Sequence, residues 1–207
     1  MIRRIVVMFV MAWVAVATNS AGANVVPPDV LARQTTEQTL QAIRAHRAEI
    51  KRDPSVIYDL VKKLVLPHFD FELMSRLVLA QHWRTAQPDQ RQRFVDEFRQ
   101  LLVRTYGRSL AEYSGQTVEF EPLRSEPSSK RATVRSNIKQ ADGPPIPLDY
   151  KLYKKGGDGW KVFDVITNHA SLVQTYRSSF SAEIRHNGLD ALIEQLVQRN
   201  TESTRSP

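Results

Sequence analysis

Ile146-Pro147-Leu148-Asp149-Tyr150-Lys151-Leu152 alternates apolar and polar residues over seven positions. Successive side chains of an extended chain point to opposite faces, so this run makes one apolar face and one wet one. The pattern recurs upstream. Ala132, Val134 and Ile138 alternate with Thr133, Arg135 and Asn137, and Val118 and Phe120 sit between Thr117, Glu119 and Glu121. Downstream, Gly156-Gly157-Asp158-Gly159 reads as a hairpin turn into the strand Trp160-Lys161-Val162-Phe163-Asp164-Val165-Ile166. Four such strands predict an antiparallel sheet covered on one side. Strict alternation puts Asp164 on the same face as Trp160, Val162 and Ile166.

The flanks change period from two to three and four. Pro27-Pro28-Asp29 opens a polar helical segment to about Lys51, and Asp53-Pro54 stops it and restarts the chain, with Pro54 at a first helical position. Val56, Ile57, Leu60, Val61 and Leu64 then recur at helical spacing, as do Phe71, Leu73, Met74, Leu77 and Val78 beyond Pro67. The clearest helix runs from Pro88 to about Tyr113. Phe94, Phe98, Leu101, Leu102, Thr105 and Leu110 form one side, and Arg91, Arg93, Arg99, Arg104 and Arg108 are interspersed. After the sheet, Ser171 to about Arg185 is helical, His186-Asn187-Gly188 ends it, and Leu189 to Val197 is a short last helix. The residues after Asn200 have no pattern and read as a disordered tail, 201–207. Helices, then strands, then helices make an α+β domain.

The N-terminus sets the compartment. Arg3 and Arg4 precede a thirteen-residue apolar run from Ile5 to Ala17, and Ala21-Gly22-Ala23 supplies small residues at cleavage spacing. This is the three-part pattern of a secretory signal peptide, residues 1–23, and the run falls short of the about 20 residues that span a bilayer. The mature chain has no Cys. An exported protein without disulfides depends on its packed core. The formal charge is +7, or +5 once Arg3 and Arg4 are removed. On an exported chain that balance points to anionic membrane surfaces or acidic partners and away from nucleic acid.

Catalytic motifs are scarce. There is no G-x-S-x-G, no Gly-rich phosphate loop and no H-E-x-x-H, and the five His are scattered without metal-ligand spacing. Asp164 on an apolar face is the one candidate general base; the plainer reading is a carboxylate hydrogen-bonded at the end of the sheet. His68 beside Asp70, and His82 beside Trp83, read as loop and capping residues. The informative feature is the excess of apolar faces, which either close as a solid core or curl round a cavity. Composition leaves the two open.

A set of motifs resembles one family. Leu66-Pro67-His68-Phe69-Asp70-Phe71 with Met74-Ser75, then Trp83-Arg84, comes first; Gln90-Arg91 with Phe94, Phe98, Leu101-Leu102, Thr105 and Tyr106 follows. Gly159-Trp160-Lys161-Val162-Phe163-Asp164-Val165 and Ser171-Leu172-Val173-Gln174-Thr175-Tyr176-Arg177 through Phe180 follow in order, then Gly188-Leu189-Asp190 and Leu192-Ile193. Together they resemble the periplasmic phospholipid-binding proteins of the maintenance-of-lipid-asymmetry (Mla) pathway, also called the toluene-tolerance (Ttg2) family, over about residues 28 to 200. The resemblance implies a strongly twisted four-stranded antiparallel sheet surrounded by helices and enclosing an apolar lipid pocket, in one phospholipid-binding domain, 24–200. It implies no cofactor, with phospholipid as cargo. It implies two partners: an outer-membrane lipoprotein–porin complex and an inner-membrane ABC transporter with a lipid-binding ring subunit. One stretch departs from the pattern. Where the family runs to a Gly before Ser-Leu, this chain has Thr167-Asn168-His169-Ala170. A Gly there serves a positive φ or a close contact.

A lipid carrier has a simple requirement. Exposing an acyl chain costs about 0.8 kcal/mol per methylene, so two chains of roughly 15 methylenes cost on the order of 24 kcal/mol. The chains must be enclosed, with the charged headgroup at the mouth. The residues expected to wall them are Leu73, Leu77, Phe94, Phe98, Leu101, Val134, Ile138, Leu148, Tyr150, Val162, Leu172 and Tyr176. Two other readings stand beside the carrier: an enzyme on a cone-shaped α+β fold with Asp164 as general base, and a partner-binding module with a solid core.

Overall fold

The computed structural model describes residues 25–205 apart from 125, 127, 141 and 142. The expected signal peptide lies outside the described residues. The elements are α1 (Pro28–Ala45), α2 (Arg47–Arg52), α3 (Val56–Leu64), α4 (Phe71–Leu79), α5 (Gln81–Thr85), α6 (Pro88–Ala111), β1 (Thr117–Phe120), β2 (Arg131–Lys139), β3 (Ile146–Lys154), β4 (Trp160–Thr167), β5 (Ala170–Ser171) and α7 (Leu172–Arg205). The strands pair antiparallel in sequence order, β1-β2-β3-β4-β5. The α+β class stands. Four strands become five because the chain turns back after β4 for two residues and pairs Ile166 with Ser171.

Local chemistry accounts for most boundaries. Pro28 sits at the start of α1, and the chain unwinds for one residue at His46 (φ −98°, ψ 14°), which divides the expected single segment into α1 and α2. Pro54 lies before the N-cap Ser55 rather than inside α3. Asp70 caps α4 by accepting the Leu73 amide at 2.9 Å. Gln87 and Gln90 form a reciprocal capping box ahead of α6. The loop reading of His82 is corrected: it lies in α5, which Arg91 of α6 fastens by donating to the Trp83 carbonyl at 2.9 Å and the Arg84 carbonyl at 3.2 Å. Gly188 (φ 86°, ψ 168°) breaks α7 at the expected place. Of the expected disordered tail, 206 and 207 lie outside the described residues. Residues 201–205 continue the helix, and the reason lies one residue earlier. Asn200 is buried and its amide donates to the Glu97 backbone and carboxylate at 3.0 and 2.7 Å, so the last turn is held against α6.

The sheet departs from strict alternation at one residue. Leu152 lies opposite Val162, but Lys151 lies opposite Asp164, so Phe163 is an extra residue on β4. The bulge turns everything after it over. Val162 and Val165 share the face of Leu152 and Tyr150, while Asp164 goes to the other face with Lys151. The expectation that Asp164 shares a face with Trp160 and Val162 is therefore corrected.

Three apolar groups result. Phe94, Phe98, Met74, Val78, Leu79, Phe180, Leu192, Ile193 and Leu196 pack between α4, α6 and α7. Val134, Leu152 and Val162 of the sheet pack against Ala32 and Leu31 of α1. Ile43, Ile50, Ile57 and Val61 pack where α1, α2, α3 and the end of α6 meet.

Candidate functional site

The twelve expected wall residues separate into two interiors. Phe94 and Phe98 are fully buried in the helical core, with Leu77, Leu101, Leu172 and Tyr176 packed against it. Val134 and Val162 are buried on the sheet face under α1, with Tyr150 beside them. Leu73, Ile138 and Leu148 are half-buried and join neither group. The helical set is locked by its rings. Phe94 and Phe98 stack at 5.6 Å between centroids, Phe180 meets them edge-on at 5.9 and 6.1 Å, and Tyr176 meets Phe98 edge-on at 5.2 Å. The sheet set is covered mainly by the small or polar side of α1, where Tyr150 hydrogen-bonds to Thr36, and Arg33 lies 4.9 Å over the Phe120 ring. Burial pushes the Tyr150 phenol up, and the Thr36 bond opposes that in part.

A large open cavity of about 2110 Å³ lies on the helical side. Sites for drug-sized ligands run to about 300–1,000 Å³, so this space is larger than one small molecule needs. Its floor includes Ile43, Ile50, Ile57 and Val103, and its walls come from α2, α3, α6 and the β3–β4 hairpin. None of the twelve expected residues lines it. Beside the groove α3 and α6 approach closely at one point. A Cβ on Gly107 would come within 2.9 Å of the Tyr58 ring, so only glycine lets that ring lie on the α6 backbone. Ten Lys or Arg and six Asp or Glu line the cavity. The long helix divides its cations: Arg93 turns away to ion-pair with Glu194 of α7, while Arg91, Arg99, Arg104 and Arg108 face the groove. Sequence reading identified α6 as basic but missed the groove, because α2 and α3 meet it only through tertiary packing.

Two buried carboxylates tie the sheet to the helices. Asp70 accepts from the Tyr153 hydroxyl and from Lys155 at 2.9 Å as well as from Leu73, and its own amide donates to the Val162 carbonyl at 2.9 Å. Burial alone raises its pKa. The bonds from Tyr153, Leu73 and Lys155 outweigh that, so the carboxyl sits below the usual range. Burial, and then the Asp70 carboxylate, push the Tyr153 phenol up. Asp164 is the second. It accepts from the Ser171 hydroxyl at 2.7 Å and the Val173 amide at 3.1 Å, with Lys151 at 3.4 Å, while Ser171 accepts from the Gln174 amide at 3.1 Å. These bonds satisfy the first amides of α7, so Asp164 does the work of a helix cap. The departing stretch before α7 is now explained: Asn168 and His169 both hold positive φ, 48° and 64°, in the turn between β4 and β5.

Among the described residues no cluster of His, Asp and Glu could hold a metal ion, and no helix is long and apolar enough to cross a membrane.

Residues 33–198 match the family described as MlaC protein. The chain belongs to the MlaC family. Among its relatives is the toluene tolerance protein ttg2D of Pseudomonas putida, 32% identical over 79% of this chain and 75% of that protein. Another is the intermembrane phospholipid transport system binding protein MlaC of Haemophilus influenzae, 28% identical over 83% of this chain and 81% of that protein. The fold is shared with the phospholipid-binding protein from Ralstonia solanacearum, solved in complex with a phospholipid. It superposes with a TM-score of 0.78 at 28% identity, covering 85% of this chain and 98% of that one. The MlaC relationship thus bears out the expected family and fold class.

Proposed function

We propose that this chain is a periplasmic carrier that takes phospholipid between the outer and inner membranes and so maintains outer-membrane lipid asymmetry. The observation that carries the reading is the fold shared along nearly the whole length of a protein solved with a phospholipid bound. The chain adds its own support. Its sheet presents Val134, Tyr150, Val162, Ile138 and Leu148 towards helices, and α1 closes that face with Ala32, Leu31 and Thr36. Acyl chains lie against that face, while the helical core of Phe94, Phe98, Leu77, Leu101, Leu172 and Tyr176 stays shut beside them. Enclosing them offsets about 0.8 kcal/mol per methylene. Phospholipid is cargo, and the partners are an outer-membrane lipoprotein–porin complex and an inner-membrane ABC transporter with a lipid-binding ring subunit.

The reading is of a binding protein, not an enzyme. Asp164, the one acid offered as a general base, has its oxygens engaged by Ser171, Val173 and Lys151. The test is direct. Protein purified from a bacterial periplasm is extracted with organic solvent and analysed by mass spectrometry; near-stoichiometric phospholipid is expected, and a lipid-free folded protein sinks the proposal.

A further inference from the structure

The layer proposed for acyl chains is closed. Ala32, Val134, Leu152 and Val162 are buried in it, and none of them, nor Tyr150 or Thr36, lines the large cavity on the helical side. Protein interiors pack with little room to spare, so a chain laid against the sheet has to displace what covers it. The cover is α1, and its two halves are held differently. The second half is anchored among aliphatic residues. Ile43 is buried with Ile57 and Val61, Leu40 packs beside them, and Arg44 donates to the Tyr113 hydroxyl at 3.2 Å. The first half rests on the sheet through Leu31, Ala32, the Thr36–Tyr150 hydrogen bond and Arg33 over Phe120. Ahead of it, Val25 lies beside Gly159 of the β3–β4 turn.

Between the halves α1 is soft. Gln34-Thr35-Thr36-Glu37-Gln38-Thr39 has three β-branched residues in six and no large apolar one. Threonine loses side-chain freedom in a helix and holds it less well than alanine. The buried Thr39 hydroxyl also donates to the Thr35 carbonyl, one turn back, at 2.7 Å. A hydroxyl on that carbonyl competes with the helix's own amide and often bends the helix there. A weak turn therefore separates an anchored end from an end held by one hydrogen bond, one ring contact and two apolar side chains. We infer that the first half of α1, residues 28–38, is a lid that swings off the sheet about the turn from Thr35 to Thr39 and so admits acyl chains. The Thr36 and Tyr150 hydroxyls are its latch, and Ile43 is its fixed end. The inference rests on the carrier reading and adds to it which element moves and where it bends.

The chain has no Cys, so paired spin labels can be placed on exposed positions of the full mature protein. Gln34→Cys/Lys139→Cys reports the lid against β2, and Gln41→Cys/Lys139→Cys reports the anchored end against the same strand. Both distances are measured by pulsed electron resonance in lipid-stripped protein and after loading from phosphatidylethanolamine vesicles. The Gln34 distance is expected to lengthen on loading and the Gln41 distance to stay. Uptake of pyrene-labelled phosphatidylethanolamine from such vesicles gives the rate. Tyr150→Phe undoes the latch and should speed uptake about fivefold, the factor a typical hydrogen bond contributes. Thr39→Ala stiffens the turn and should slow uptake about threefold. Thr201→Ala removes the same kind of bond, donated to the Val197 carbonyl, from the far end of α7 and should leave the rate unchanged. Circular dichroism establishes that each variant is folded. Distances that do not change while lipid is bound overturn the lid and leave the carrier reading standing. So do two distances that lengthen together, since α1 then moves without bending. Rates that neither Tyr150→Phe nor Thr39→Ala alters, or that Thr201→Ala alters equally, have the same consequence. Protein that holds no lipid after loading, judged by mass spectrometry of an extract, overturns the carrier reading and the lid with it.

Discussion

The helical core between α4, α6 and α7 and the layer between α1 and the sheet bury different kinds of side chain. The first interlocks Phe94, Phe98, Phe180 and Tyr176, each ring pair within 5.2–6.1 Å. Such pairs add about 0.5–1.5 kcal/mol each beyond the area they bury. The second brings Ala32, Leu31 and Thr36 to the valines and Tyr150 of the sheet. Apart from Leu31 these are small or polar, so less apolar area is lost when α1 parts from the sheet than when the ring-packed core opens. On the proposed carrier reading one region stays shut and another yields, and the difference in side-chain size suits the helical core to the first role and the α1–sheet layer to the second. Phe98→Ala tests the firm half and has the largest expected effect. It should cost about 3–5 kcal/mol in urea unfolding, while the lipid recovered per folded molecule is unchanged. A cost below about 1 kcal/mol would remove the distinction.

Ala32→Trp tests the yielding half. Ala32 is 8% exposed beneath the sheet, so an indole there fills the space proposed for acyl chains. Overpacking should cost about 1–3 kcal/mol, and extraction should recover less lipid per folded molecule than from the wild type. Full lipid loading would move the cargo away from the α1–sheet layer.

Asp70→Asn sharpens the same contrast at the junction, where β3 and β4 are held to α4. It leaves Lys155 without its carboxylate and should cost about 1–3 kcal/mol at neutral pH. The folded pKa of Asp70 is depressed, so its contribution is complete above the unfolded carboxylate range of about pH 4 and disappears as pH falls through the lower folded value. Wild type and variant should therefore converge in stability on acidification. A gap that stays constant down to pH 2 would deny the carboxylate that role.

Much of this architecture was legible in the order of residues. The alternation of Ala132, Val134, Leu148 and Tyr150 set the strands, and Gly188 marked the break in α7. What escaped was whatever depends on a neighbour in space. Phe163 continues an apolar run, and only its partner strand reveals that it is the extra residue. Asn200 looks like the start of a loose tail until Glu97 comes within reach. The charged residues of α2, α3 and α6 that line the groove are separated by up to 61 positions, Arg47 to Arg108, and no local pattern joins them. Nine of the twelve apolar residues expected as walls fall in the two buried groups, but period alone does not divide them between the helical core and the α1–sheet layer.

His169→Gly has the smallest expected effect and examines the joint between the two regions, since β5 leads from the sheet straight into α7. Asn168 and His169 carry consecutive positive φ values, and left-handed backbone costs a residue with a Cβ roughly 1–2 kcal/mol. Asparagine and histidine both adopt that conformation more readily than most residues, so the cost at His169 lies at the low end of that range. Two terms then oppose each other in the variant. Glycine removes the steric cost in the folded turn, but it also gives the unfolded chain more freedom, worth about 0.4–1 kcal/mol in the other direction. The steric term is slightly the larger, so the variant should be more stable by a few tenths of a kcal/mol, about 0.5 at most. Its Asp164–Ser171 cap should stay intact, with the lipid load unaltered. Thermal unfolding reads the sign. A destabilised variant would mean that the His169 side chain, and not its backbone angle, holds the turn that aims α7 at the core.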